Sequence, residues 1–296
     1  MKKNIIIVTG GAGFVGSNLI KSLLLNSKLK IISLDNYFSG NKKNHSVHSR
    51  VKYIKGETKN FEKIFRSYKN KIHSVFHFGE FARIYQSFLK FDKCYESNIV
   101  GSKEVFSFCL KNKIKLIYSA TSATIGNDGN DKDLSPYAFT KSKNLEFLEN
   151  LKKWFNFKYE VVYFYNVYGQ NHIRTGPMAT VIGIFEHQFK NNKPVTVVKP
   201  GTQTRRFTHI DDTIKVCLEA WKKDKCRHYS ISSREEHSIL EIAKFFSKKI
   251  KFLPEKKGER YLSSLTDDYM SNKISKRYGK IKVSKYIQNF KKNKKQ

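Results

Sequence analysis

The chain has no apolar run long enough to span a bilayer. Its opening "MKKNIIIVTGG" breaks into glycines too early for a signal-peptide core. These absences predict a cytoplasmic protein. Cysteine is scarce, and Cys94, Cys109, Cys217 and Cys226 form no CxxC pair, which argues against a zinc site or disulfide framework and predicts reduced, semi-buried fillers. Acidic residues are also few, 25 against 57 Lys and Arg, a formal charge of +32. Such an excess would suit a polyanion. The lysines are nevertheless dispersed among asparagines and isoleucines, and "KKNKKQ" at the end reads as a solvated terminus, so no specific nucleic-acid partner is predicted. No internal repeat or low-complexity linker divides the 296 residues. With 39% hydrophobic and 14% aromatic residues the chain can build a sizeable core.

The order of elements is regular. "NIIIVTGG" reads as a strand buried on both faces, "SNLIKSLLLN" as a helix and "LKIISLDN" as a second buried strand. That βαβ unit forces a parallel pair. Strands at "VKYIKG", "SVFHFGE", "IKLIYSAT" and "YEVVYFYNVYG" alternate with helices at "NIVGSKEVFSFCLKN" and "SPYAFTKSKNLEFLENLKKWF". The pattern predicts an α/β fold: a Rossmann-type doubly wound parallel sheet with a smaller mixed α/β region. Its character changes near Asn166, which predicts a cofactor domain over 1–166. Residues 167–296 are then mainly a substrate-binding region, with some segments returning to the first domain.

Within "VTGGAGFVGS", Gly10, Gly13 and Gly16 are spaced three apart between strand and helix, and Gly11, Gly13 and Gly16 satisfy GxGxxG. Either set gives a tight turn whose backbone can approach a pyrophosphate, with Phe14 and Val15 opening the helix beside it. Asp35 closes the second strand where a carboxylate accepts from ribose hydroxyls, with Asn36 next to it. A negative charge there favours NAD over NADP, although Lys42 and Lys43 lie just beyond. Glu57 and Thr58 end a third strand within reach of an adenine edge. In "SPYAFTK", Ser135 can cap a helix, Pro136 suits its first turn, and Tyr137 and Lys141 share a face at i and i+4. A phenol titrates near 10, and a neighbouring ammonium lowers that value, which makes tyrosine a usable proton acceptor for an alcohol.

The set "TGGAGFVGSN", "LDNYFSG", "HFGE", "ESNIVGS", "SATSATIG", "SPYAFTK", "YFYNVYG" and "RRFTHIDD", in this order over essentially the whole chain, resembles the extended short-chain dehydrogenase/reductase family. Within it the chain looks like nucleotide-sugar epimerases of the UDP-glucose 4-epimerase type. The resemblance implies bound NAD, a nucleotide-sugar substrate, and carbohydrate-metabolic isomerase chemistry at C4 through a 4-keto sugar. It implies a catalytic set of Tyr137, Lys141 and Thr121, with Ser122 beside the threonine. It further implies a cofactor-lining turn at Phe78 and Gly79 with Asn98 nearby, a diphosphate held by Asn166 and by Arg205 or its neighbour Arg206, and Glu259 on the nucleotide ribose. A homodimer through "NIVGSKEVFSFCLKN" and the Tyr137 helix is also implied. Two features depart from the pattern: Ile125 stands where the family usually has tyrosine, and only fifteen residues separate Thr121 from Tyr137. Ser122 and Ala123 follow Thr121 in place of the acid pair that dehydration needs, which favours epimerisation. The alternatives are a net NAD(P)-dependent reductase or dehydrogenase of the same fold, and a non-catalytic dinucleotide-binding protein.

Overall fold

The computed structural model describes residues 3–258, 261–262 and 269–293. Strands β1 (Ile5–Thr9), β2 (Lys30–Asp35), β3 (Val51–Lys55), β4 (Ile72–His77), β5 (Lys115–Thr121) and β6 (Tyr159–Phe164) form a sheet that β9 (His228–Ser230) completes, in the order β3-β2-β1-β4-β5-β6-β9. Every pairing in it is parallel. Its direction of winding reverses at β1, so the crevice beyond the C-terminal ends of β1 and β4 is the switch point at which such sheets bind ligands.

Residue alternation explains why both faces are covered. Ile5 and Ile7 of β1 face one core while Ile6 and Val8 face the other. On the first side lie α2 (Phe61–Phe65), α5 (Gly101–Lys111) and α6 (Pro136–Phe155); on the second lie α1 (Phe14–Asn26) and α8 (Ile210–Lys222). The short α3 (Ile84–Leu89) and α4 (Phe91–Tyr95) precede α5, and the turns of Glu96–Val100 widen to π geometry before it. The helix expected over 98–112 is observed as α5, with the π turns leading into it.

Beyond Asn166 a third core gathers Tyr168, Phe185, Val195, Phe207, Ile242, Phe246 and Ile287. It is built from α7 (Val181–Lys190), β7 (Val195–Val198), β8 (Thr204–Arg206), β10 (Glu236–Ser238), α9 (Ile239–Phe246), β11 (Ile250–Leu253) and α11 (Val283–Lys292); α10 (Tyr269–Tyr278) returns to α8 and β9. β8 pairs antiparallel with β10, and β7 parallel with β11. Two buried carboxylates seat the returning chain. Glu160 accepts the amides of Lys225, Cys226 and Arg227 at 2.7, 3.0 and 3.1 Å before β9, and Asp212 accepts those of Lys280 and Ile281, each at 3.0 Å. Cys94, Cys109 and Cys217 are buried outright, more so than semi-buried fillers, and Cys226 is half-buried. Among the described residues no helix is long and apolar enough to cross a membrane.

Candidate active site

The turn after β1 is built without room for side chains. Gly10 has φ +72°, and a Cβ on it would lie 2.8 Å from the Phe78 carbonyl oxygen and 2.9 Å from the Gly79 nitrogen. A Cβ on Gly16 would meet the Gly10 oxygen at 2.2 Å, so α1 can start this close to β1 only with glycine there. Gly13 is the N-cap of α1, and no side chain caps that helix or places an acid in its first turn. Its first amides are thus left for an anion. Phe14 and Val15 are half-buried at this end, and Phe14 sits edge-on to His172.

Asp35 lies at the tip of β2, buried, with Oδ2 accepting the Ala12 amide at 2.9 Å and Oδ1 the Tyr37 amide at 2.8 Å. Burial holds its pKa above the ordinary carboxylate value, against the lowering effect of those amides. The carboxylate therefore braces the glycine turn as well as marking the end of β2. Asn36 Nδ2 donates to Glu57 at 3.0 Å, and Lys93 Nζ pairs with the same carboxylate at 2.9 Å. Thr58 is buried against the start of α5, where a Cβ on Gly101 would strike its hydroxyl.

Four elements meet at Lys141. Ser135 Oγ accepts the Ala138 amide at 3.1 Å, Pro136 opens α6, and the helix presents Tyr137 and Lys141 on one face. Tyr137 is half-buried, its amide donating to Ser87 Oγ of α3 at 3.2 Å. The Lys141 side chain is 4% exposed. Its ammonium donates to the Ser119 carbonyl of β5 at 2.6 Å, pairs with the Glu80 carboxylate and lies 4.8 Å from the Tyr118 ring centroid. Glu80, 1% exposed, also accepts from Ser102 Oγ at 2.9 Å, Asn144 Nδ2 at 3.0 Å and Tyr118 OH at 3.1 Å. Burial, then the Glu80 charge, pushes the Tyr118 phenol well up. Ser102 continues the chain to His77 Nε2 at 2.9 Å, and His77 Nδ1 lies 2.8 Å from Thr9 Oγ1. Thr9 Oγ1 in turn accepts the Phe78 and Gly79 amides at 3.1 and 2.9 Å. One network of hydrogen bonds thus links the cofactor turn to the Tyr137 helix.

The other expected residues fall into three groups. Thr121 closes β5 two residues after Ser119; its Oγ1 accepts the Ala123 amide at 3.2 Å, and Ser122 is buried beside it. Asn98 is fully buried, with its side chain on both polar atoms of the Phe81 backbone and on Thr140, so it pins the loop after β4 to α6. Asn166, at φ +35°, donates to the Arg206 carbonyl at 2.9 Å and so sits beside the strand that carries both arginines. Arg205 is buried there, while Arg206 pairs with Glu236 at 3.2 Å. Glu259 lies outside the described residues.

Residues 6–232 match the model of the NAD dependent epimerase/dehydratase family. The chain belongs to that family. NAD is therefore its cofactor, and the uncapped α1 end and the side-chain-free turn fit a dinucleotide phosphate. As a member of the NAD dependent epimerase/dehydratase family it is 30% identical over 256 residues to an ADP-L-glycero-D-manno-heptose-6-epimerase of Brachyspira hyodysenteriae, covering 81% of this chain and 79% of that one. Among solved structures it resembles a UDP-glucuronic acid 4-epimerase from Bacillus cereus in complex with UDP-glucuronic acid and NAD, with TM-score 0.83, 25% identity, and 100% and 99% of the two chains covered. A UDP-glucose 4-epimerase from Thermotoga maritima superposes with TM-score 0.86 over 98% and 99% of the chains at 24% identity, a likeness of fold. Within this epimerase/dehydratase frame the side chains that the sequence patterns did not single out are Glu80, Ser102, Tyr118 and Asn144 around Lys141, and Arg83 in the following loop. The one signal was an acid directly after an apolar strand, in "HFGE".

Proposed function

We propose that the protein epimerises a nucleotide-activated hexose at C4, a UDP-sugar first among candidates, as an NAD-dependent isomerase. The observation that carries this reading is Lys141, buried at the ends of β4 and β5 one helical turn from Tyr137, and linked through Glu80 to the turn that includes Gly10. When bound, NAD supplies a hydride acceptor that is restored at the end of each turnover. Tyr137 takes the proton of the 4-hydroxyl and returns it, while Lys141 holds positive charge one turn away. Thr121, with Ser122 beside it, orients that hydroxyl. Asn166 and Arg205 hold the diphosphate while the 4-keto ring turns over; the planar guanidinium fork suits phosphate oxygens. Phe78, Gly79, Asp35, Asn36, Glu57 and Thr58 form the wall of the cofactor crevice, which the pinned Asn98 supports. The residues after Thr121 are Ser122 and Ala123, which supply no acid and base for dehydration.

The test is a panel of UDP-, GDP- and dTDP-hexoses, with an ADP-heptose for comparison, incubated with purified protein. The C4 epimer should appear with no net accumulation of reduced nicotinamide. Stoichiometric consumption of NAD(P)H would replace this reading with a net oxidoreductase, and nucleotide binding with no turnover would replace it with a binding protein.

A further inference from the structure

Arg83 is a cation with no acidic partner among the described residues. It caps α3 at the end of the loop that follows β4, half-buried. Its Nε and Nη2 donate to the Met178 carbonyl at 2.9 and 2.6 Å, and Nη1 donates to the Ala82 carbonyl at 2.7 Å. A guanidinium has five N–H bonds, so one on each terminal nitrogen is left over. Among the described residues no carboxylate lies within ion-pair distance of it, and the acid three residues earlier, Glu80, is already engaged by Lys141. Enclosing a charge without its counter-charge is costly. A neutral amide could clamp the Met178 carbonyl without that cost, so the positive charge itself calls for an arriving anion.

Position decides which anion. Met178 belongs to the segment between Asn166 and α7, so the guanidinium bridges from the loop after β4 to the wall of the second region. Ser87, one turn along α3, receives the Tyr137 amide at 3.2 Å, so Arg83 and Tyr137 stand at the starts of two helices packed on each other. The cation thus stands beside the start of the Tyr137 helix, on the side of the crevice where the mechanism proposed above puts the reacting ring. We propose that Arg83 binds a carboxylate carried on the hexose ring, so that the substrate class is a nucleotide-activated hexuronic acid. This rests on the epimerase reading above. The two remaining donors suit the two oxygens of a carboxylate, whereas a neutral hydroxymethyl group would leave the charge uncompensated.

The experiment compares UDP-glucuronic acid with UDP-glucose, using the full-length protein with NAD. The ratio of kcat/KM, acid over neutral, should exceed about tenfold in the wild type and fall at least tenfold in Arg83→Gln. Calorimetric titration with UDP-glucuronic acid, UDP-glucose and UDP alone reports the same preference even if no epimer forms, which separates failure of this inference from failure of the C4 reading. A wild type that binds and turns over the neutral sugar as well as the acid overturns the inference. So does an Arg83→Gln that lowers both sugars equally, the mark of a purely structural Met178 clamp, or one that weakens UDP alone as much, the mark of a diphosphate ligand. Should that variant fail to fold, the wild-type preference decides alone.

Discussion

Replacing Glu80 by glutamine removes one charge from a cluster in which both ionic partners are almost wholly out of water. The amide oxygen could still accept from Ser102, Tyr118 or Asn144, but its nitrogen would face the Lys141 ammonium as a second donor. Breaking a buried pair from one side costs about 3–5 kcal/mol, because the remaining charge stays desolvated. With an unfolding entropy of about 2.1 cal/mol/K per residue, that loss lowers the melting temperature of a chain this long by about 5–8 °C. Calorimetric or fluorescence melting of wild type and variant measures it. Glu80→Gln combined with Lys141→Met leaves no orphaned charge and should recover more than half of the lost stability while staying inactive. A Glu80→Gln protein that melts within 1–2 °C of wild type, or a double variant less stable than the sum of the singles, would refute the reasoning.

Gly10→Ala should abolish NAD retention and destabilise the fold by about 1–3 kcal/mol, since its Cβ would meet the Phe78 and Gly79 backbone at a positive φ; cofactor released from the purified protein is the readout. Burial drives the His77 imidazole down to about 4 from an ordinary 6.5, so the fold keeps it neutral. Its stabilisation is complete above pH 6.5 and is lost as pH falls from 6.5 towards 4, on the order of 3 kcal/mol. Denaturant unfolding at several pH values should show a shallower acid loss in His77→Gln, and equal slopes would exclude His77 as the cause. Phe91, Tyr95, Val100 and Phe139 are exposed across neighbouring helical segments. A homodimer through that face predicts a two-chain mass by light scattering, which Tyr95→Arg should reduce to one, and a single-chain mass for wild type would remove the proposal.

The sheet was legible because each central strand alternates between two cores, and because glycines and the Ser-Pro cap mark where α1 and α6 begin. β9 was not: three residues carry no readable period, and Glu160, distant in sequence, seats it. The pairing of Tyr137 with Lys141 follows from helical spacing alone. The surroundings of Lys141 do not, since Glu80 after β4, Ser102 of α5 behind it, and Tyr118 and Ser119 of β5 gather there from three separate elements of the fold. Likewise Asp35 is placed by its distance from the glycines, but its bracing of the Ala12 amide depends on how β1 and β2 pair. Asn98 shows the same limit. A polar residue on an amphipathic segment gives no sign that it will be sealed against the Phe81 backbone.

Turnover by Tyr137→Phe, measured with the preferred nucleotide sugar alongside quantitation of bound NAD, tests the central claim most directly. Loss of about 10²–10⁴-fold in rate with cofactor content unchanged is expected if the phenol carries the proton of the sugar hydroxyl. Epimerisation within a few-fold of wild type would contradict it.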